Sequence, residues 1–145
     1  MYKHILFATE LGEESRQVED KVSSIVKLTG ARVSIIHVVE PMPSAYVVGE
    51  VGPYYDTHEE QKKVNENALK ALSPSVERLG VAITDVIVGS GRVATEVLLY
   101  AQQNDVDLLI VGSHGRHGFQ LILGSTANAI LHRAKCDVLA VRFSA

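Results

Sequence analysis

Residues 107–126 read DLLIVGSHGRHGFQLILGST, and the architecture turns on them. The run opens with Asp107 to Val111, nearly all apolar, as expected of a strand covered on both faces. Gly112, Gly115 and Gly118 break it, and Gly124-Ser125-Thr126 introduces a helical segment from about Ser125 to Arg133. A buried strand, a turn and a helix in succession form the repeating unit of a parallel sheet.

The same alternation continues on both sides. Downstream, Val138 to Val141, extended to Phe143, reads as a last strand. Upstream, a helix carrying Val93, Val97, Leu98 and Ala101 follows a strand at Val81 to Val88 and a Gly89-Ser90-Gly91 turn. A helix opens at Thr57-His58-Glu59-Glu60, a capping-box pattern, and carries Ala68, Leu72, Val76 and Leu79 inward before stopping at Gly80. Pro74 inside it should bend it or remove a backbone bond. Arg32 to Val39 reads as a strand, and so does His4 to Ala8. Between them Glu13 to Leu28 places Val18, Val22, Ile25 and Val26 on one stripe, with Glu13 and Glu14 at the dipole's positive end and Gly30 as a left-handed stop. The order βαβαβαβαβ predicts a single α/β domain over 1–145, an open parallel five-stranded sheet with helices on both faces. Residues 41–56 hold three prolines and two glycines without a period, and read as a loop able to close over a site.

Composition narrows the function. The 145 residues are 46% hydrophobic and 21% charged, enough apolar surface to offset the entropy of folding. A net charge of −3 argues against a broadly basic nucleic-acid partner. The lone Cys136 excludes an internal disulfide. MYKHILFATE reads as a strand and no apolar run is long enough to cross a bilayer, so the expectation is a cytoplasmic protein without a membrane partner.

In open α/β sheets ligands bind beyond the carboxyl ends of the strands, where strand order reverses. The 112–126 segment lies at such an end. Its glycines let backbone N–H groups approach an anion, the helix opening at Ser125 offers free N–H groups and a positive dipole end, and His114, Arg116 and His117 add cations. The alternative is that the glycines only shape a turn and the hydroxyls only cap a helix. Neither a P-loop nor a dinucleotide fingerprint is present.

VGSHGRHGFQLILGSTANAILHRAKCDVLAVR, with the KHILFATE start and the VSIIHVVE second strand, resembles the universal stress protein family over the whole chain. The resemblance implies strand order 3-2-1-4-5, a homodimer through the last strand (138–143) and, in one branch, a Gly-x2-Gly-x9-Gly-Ser/Thr loop around the phosphates of ATP or AMP. Here the pattern is Gly112-x2-Gly115-x8-Gly124-Ser125, one residue shorter. Carried over residue by residue, the resemblance puts Ala8, Thr9 and Glu10 at the end of the first strand near adenine or ribose, with Glu in place of the usual Asp. It puts Val38, or Val39 one register on, at adenine, and Val111 and Gly112 under the ribose. Gly115, Arg116, Gly124, Ser125 and Thr126 would face phosphate, and His114 would touch it or order the turn. An adenine nucleotide, ATP or AMP, is the cofactor so implied; Mg would join it in an ATPase, for which Glu10 and Ser125 are the metal-side candidates. The resulting expectation is a dimeric, nucleotide-binding stress-response module. Two rivals remain: a slow Mg-dependent ATPase, and a nucleotide-free interaction protein of the same fold.

Residue types elsewhere carry simpler readings. Glu10 can cap the first helix, His37 reads as a packed or hydrogen-bonded strand residue, and Asp105 and Asp107 read as turn markers. Leu139, Val141 and Phe143 alternate along an edge strand that can pair with a second chain, unless Phe143 packs on its own domain.

Overall fold

The computed structural model describes residues 1–41, 57–113 and 123–143, with only the backbone of Thr57. The elements run β1 (His4–Ala8), α1 (Ser15–Thr29), β2 (Arg32–Val39), α2 (Thr57–Leu79), a 3-10 turn (Ile83–Asp85), β3 (Val86–Ser90), α3 (Val93–Gln103), β4 (Leu108–Gly112), α4 (Ser125–Arg133) and β5 (Asp137–Val141). The sheet order is β3-β2-β1-β4-β5 and every pairing is parallel, as expected.

Side chains alternate across the strands, so each central strand feeds two cores. Ile5, Phe7, Ile35 and Ile110 point to one face, where Val18 and Val22 of α1 and Leu72 of α2 cover them. Leu6, Ile36 and Leu109 point to the other, under Val97 of α3 and Ile130 of α4. This two-sided cover is why β1 and β4 read as unbroken apolar runs. Gly30 ends α1 at φ 70°, its N–H donating to the Val26 carbonyl at 2.7 Å.

Three expectations change, and the helix expected to run past Pro74 to Gly80 does so. Helix α1 begins only at Ser15, with Glu14 as an uncapped entry residue, so Glu13 and Glu14 stand before the helix. The apolar stretch from Val81 is not one strand: Ile83–Asp85 is a 3-10 turn, and pairing begins with Val86 opposite Ile35. Asp85 stands at that break, where its carboxylate pairs with Arg32 at the start of β2. Helix α2 continues through Pro74 to Leu79. At the far edge Val141 is buried in the α1/α2-side core and Phe143 packs against it, leaving Leu139 as the exposed member of the expected stripe. Residues 42–56 lie outside the described residues.

Candidate functional site

Strands β2 and β3 extend the sheet to one side of β1, and β4 and β5 extend it to the other, so strand order reverses between β1 and β4. A cleft of about 350 Å³ opens there at the carboxyl ends. Ala8, Thr9 and Glu10 supply its β1 wall, Val38 its β2 wall, and Val111 and Gly112 its β4 wall. Gly124, Ser125 and Thr126 close it at the start of α4. His114, Gly115 and Arg116 lie outside the described residues.

The two ends of the cleft differ chemically. Ile36, Val38, Val93, Val97 and Val111 make an apolar slot suited to a flat ring. Opposite it, α4 begins after Gly124, which has no side chain to cap the helix, and among the described residues no other side chain does so. The Gly124 N–H is held by the Ser113 carbonyl at 2.7 Å, which fixes the direction of entry into α4. Ser113 is buried, and among the described residues its Oγ has no hydrogen-bond partner. A buried hydroxyl without a partner costs roughly 1–3 kcal/mol. Glu10 and Glu40 put carboxylates on the β1 and β2 sides of the cleft.

Gly112 serves a purpose the sequence did not disclose. Its backbone is not left-handed, and a Cβ built there would lie 2.5 Å from Phe143 Cζ. The missing side chain makes room for an aromatic ring, and Phe143 so packs on its own domain. His37, read as a packed or hydrogen-bonded residue, meets the Thr9 carbonyl with Nδ1 at 2.8 Å. A carbonyl only accepts, so Nδ1 carries the proton.

Ile36, Glu40, Ser15, Val93 and Val97 also line the cleft, beyond the residues that the sequence marks for it. Ile36 was legible in principle, being two residues before Val38 on the same strand face. Val93 and Val97 also form the inward stripe of their helix, which hides their second role. Asp107 does more than mark a turn: its carboxylate accepts the N–H groups of Lys3 and His4 at 2.8 and 3.0 Å and ties β4 to β1. Asp105 sits at φ 52°, a turn conformation that Asp tolerates.

Comparison with known proteins gives consistent results. The model of the Universal stress protein family matches residues 1–142. Universal stress protein A homolog 1 of Coxiella burnetii is 39% identical over 140 residues, covering 97% of this chain and 96% of its own. Universal stress protein A of Escherichia coli K12 is 30% identical over 140 residues, covering 97% and 94%. Among solved structures, the hypothetical protein MJ0577 superposes with a TM-score of 0.79 at 24% identity, covering 99% of this chain and 98% of its own. A universal stress protein solved in complex with cAMP superposes at 0.70 and 20% identity, covering 99% and 98%. At those identities the two structures establish the fold.

Proposed function

The chain belongs to the universal stress protein family, and we propose that it is an adenine-nucleotide-binding member that acts as a dimeric stress-response module. One observation carries the proposal: a single cleft at the point of strand reversal joins an apolar slot to the uncapped start of α4. The slot suits a purine, and the helix start suits a phosphate, whose charge complements the free N–H groups and the dipole. The Ser113 carbonyl, which accepts from the Gly124 N–H, holds the start of α4 beside the end of β4, where such a ligand would sit. The cAMP of one fold neighbour is an adenine nucleotide carried on the same architecture.

Within that reading Ser125 and Thr126 hold phosphate with hydroxyl and backbone donors. Thr9 and Glu10 face the ribose side, and Val38 meets the base. When bound, the phosphates bring the charge that a Mg ion needs, and Glu10 and Ser125 are the oxygen donors on hand. His114, Gly115 and Arg116 belong to the same proposed phosphate loop.

Acid denaturation of the purified protein, mass spectrometry of the released small molecules, and calorimetric titration with AMP and ATP test the proposal together. Near-stoichiometric adenine nucleotide, or saturable binding of added nucleotide, is the expected result. A protein that releases none and binds neither nucleotide would leave the interaction-only reading.

A further inference from the structure

The cleft reaches round the strand ends onto both faces of the sheet. Ile36, Val38, Val97 and Val111 belong to the core beneath α3 and α4. Phe7 and Val18 belong to the opposite core, beneath α1 and α2, and yet line the same cleft. Ser15, the first residue of α1, joins them. The cleft therefore has a front, on the side of α3 and α4, and a back, between the end of β1 and the start of α1. In the nucleotide reading, the base at Val38 and the phosphates at the start of α4 both take up the front.

The back has a chemistry of its own. Its floor, Phe7 and Val18, is apolar. The Thr9 N–H donates to the Ile36 carbonyl at 3.0 Å, so β1 pairing continues to Thr9 and its side chain shares the face of Phe7. Thr9 is 5% exposed, and its Oγ1 accepts the Leu11 N–H at 3.2 Å. The hydroxyl proton remains to be donated, and among the described residues nothing accepts it. Ser15 Oγ, by contrast, already donates to the Gly12 carbonyl at 2.8 Å. Carboxylates border this side: Glu10 lines the cleft, and Glu13 and Glu14 stand just before α1. A second phosphate would meet like charge here. An uncharged group with an apolar body and one acceptor meets complementary surfaces instead.

We propose that the back of the cleft is a subsite for an uncharged acyl or aroyl group carried on the 2′ or 3′ oxygen of the ribose. The inference rests on the nucleotide reading above. In that reading C1′ carries the base and C5′ carries the phosphate, both held at the front, so the 2′ and 3′ oxygens are the positions left to face the back. An ester there lays its apolar part against Phe7 and Val18 and turns its carbonyl to the Thr9 hydroxyl. The ligand class that fills both sides is a ribose-acylated adenine nucleotide.

Titration with AMP, with its 2′(3′)-O-methylanthraniloyl ester and with adenosine 3′,5′-bisphosphate, followed by amide chemical shifts, tests this. The ester is expected to bind about tenfold tighter than AMP, the gain from burying one aromatic ring. Both should shift Val38 and Ser125, and the ester alone should also shift Ser15 and Val18. The bisphosphate should bind about tenfold more weakly than AMP, because its added charge meets the Glu10 side. Ser15→Leu fills the back, so it should leave AMP affinity unchanged and remove the advantage of the ester. The three-ligand comparison needs no variant, so a Ser15→Leu chain that fails to fold does not remove the test. An ester that binds no tighter than AMP, ester shifts confined to the front, or a bisphosphate that outbinds AMP overturns the subsite while the nucleotide reading stands. A Ser15→Leu protein that keeps the ester's advantage does the same. A protein that binds none of the three overturns the subsite and the nucleotide reading together.

Discussion

Gly112 serves both faces of the sheet at once. On one side it lines the cleft, and on the other it lies against the Phe143 ring. Gly112→Ala would drive a methyl to 2.5 Å from Phe143 Cζ, so the ring must swing away and lose its packing. The expected cost is about 1–2 kcal/mol by urea denaturation, typical of overpacking. In a Phe143→Ala background the cost should disappear, because the obstacle is gone. An unchanged cost there would mean that the glycine is needed for its backbone instead. The density of glycine in 112–126 was legible as a turn signal. The reason for this glycine was not, because its partner stands 31 positions away in sequence on another strand. The same limit explains Phe143: alternation along β5 reveals two sides but not which of them the domain covers. His37 was legible as hydrogen-bonded, but its acceptor, the Thr9 carbonyl, is set by tertiary register.

At the scale of elements, polar clasps lock the layers. Between α1 and α2, Glu19 is buried, accepting from Ser75 Oγ at 2.5 Å and from Arg78 Nε at 2.6 Å. Glu19→Ala should destabilise the domain by about 1–3 kcal/mol, since buried Ser75 loses its acceptor while Arg78 still reaches water. Thermal or urea unfolding checks this, and a loss under about 0.5 kcal/mol would mean the clasp contributes only geometry.

At the opposite end of the strands from the cleft, two aspartates set the response to acid. The Arg32 hydrogen bond holds the Asp85 carboxyl below the usual range, against the opposing effect of burial. For Asp107 burial pushes the carboxyl up, but the N–H groups of Lys3 and His4 together outweigh it and leave it lowered. A carboxylate depressed in the folded state stabilises fully above the unfolded value, near 4, and loses that contribution as pH falls through the folded one. Stability should therefore decline below about pH 4. Asp107→Asn should flatten that decline in urea titrations at stepped pH, whereas an unchanged slope would assign acid sensitivity to other groups. These clasps also mark where element boundaries escaped the sequence. Val81 to Val88 is apolar enough for a strand, yet pairing waits for Val86, after the Arg32–Asp85 contact and the 3-10 turn.

At the scale of the whole molecule, the strand order was legible because every strand is followed by a helix-period segment, and right-handed crossovers leave few ways to arrange five parallel strands. The cleft followed from that order, since ligands collect where it reverses. Which residues share the cleft was less legible: α3 reaches it by packing beside β2, a tertiary fact. The proposed dimer also belongs to this scale. β5 is a sheet edge, and Leu139, on the same face as the buried Val141, is about a third exposed, 36%. Sedimentation should give a dimer, and Leu139→Asp should shift it toward monomer; a wild-type monomer at all concentrations would remove the proposed interface.

Nucleotide binding itself is read by amide chemical shifts during titration with AMP and ATP. Saturable shifts should gather at Val38, Gly124, Ser125 and Thr126, on the two ends of one cleft, and leave Arg133 at the far end of α4 unmoved. No saturable shift at those residues with either nucleotide would contradict the account.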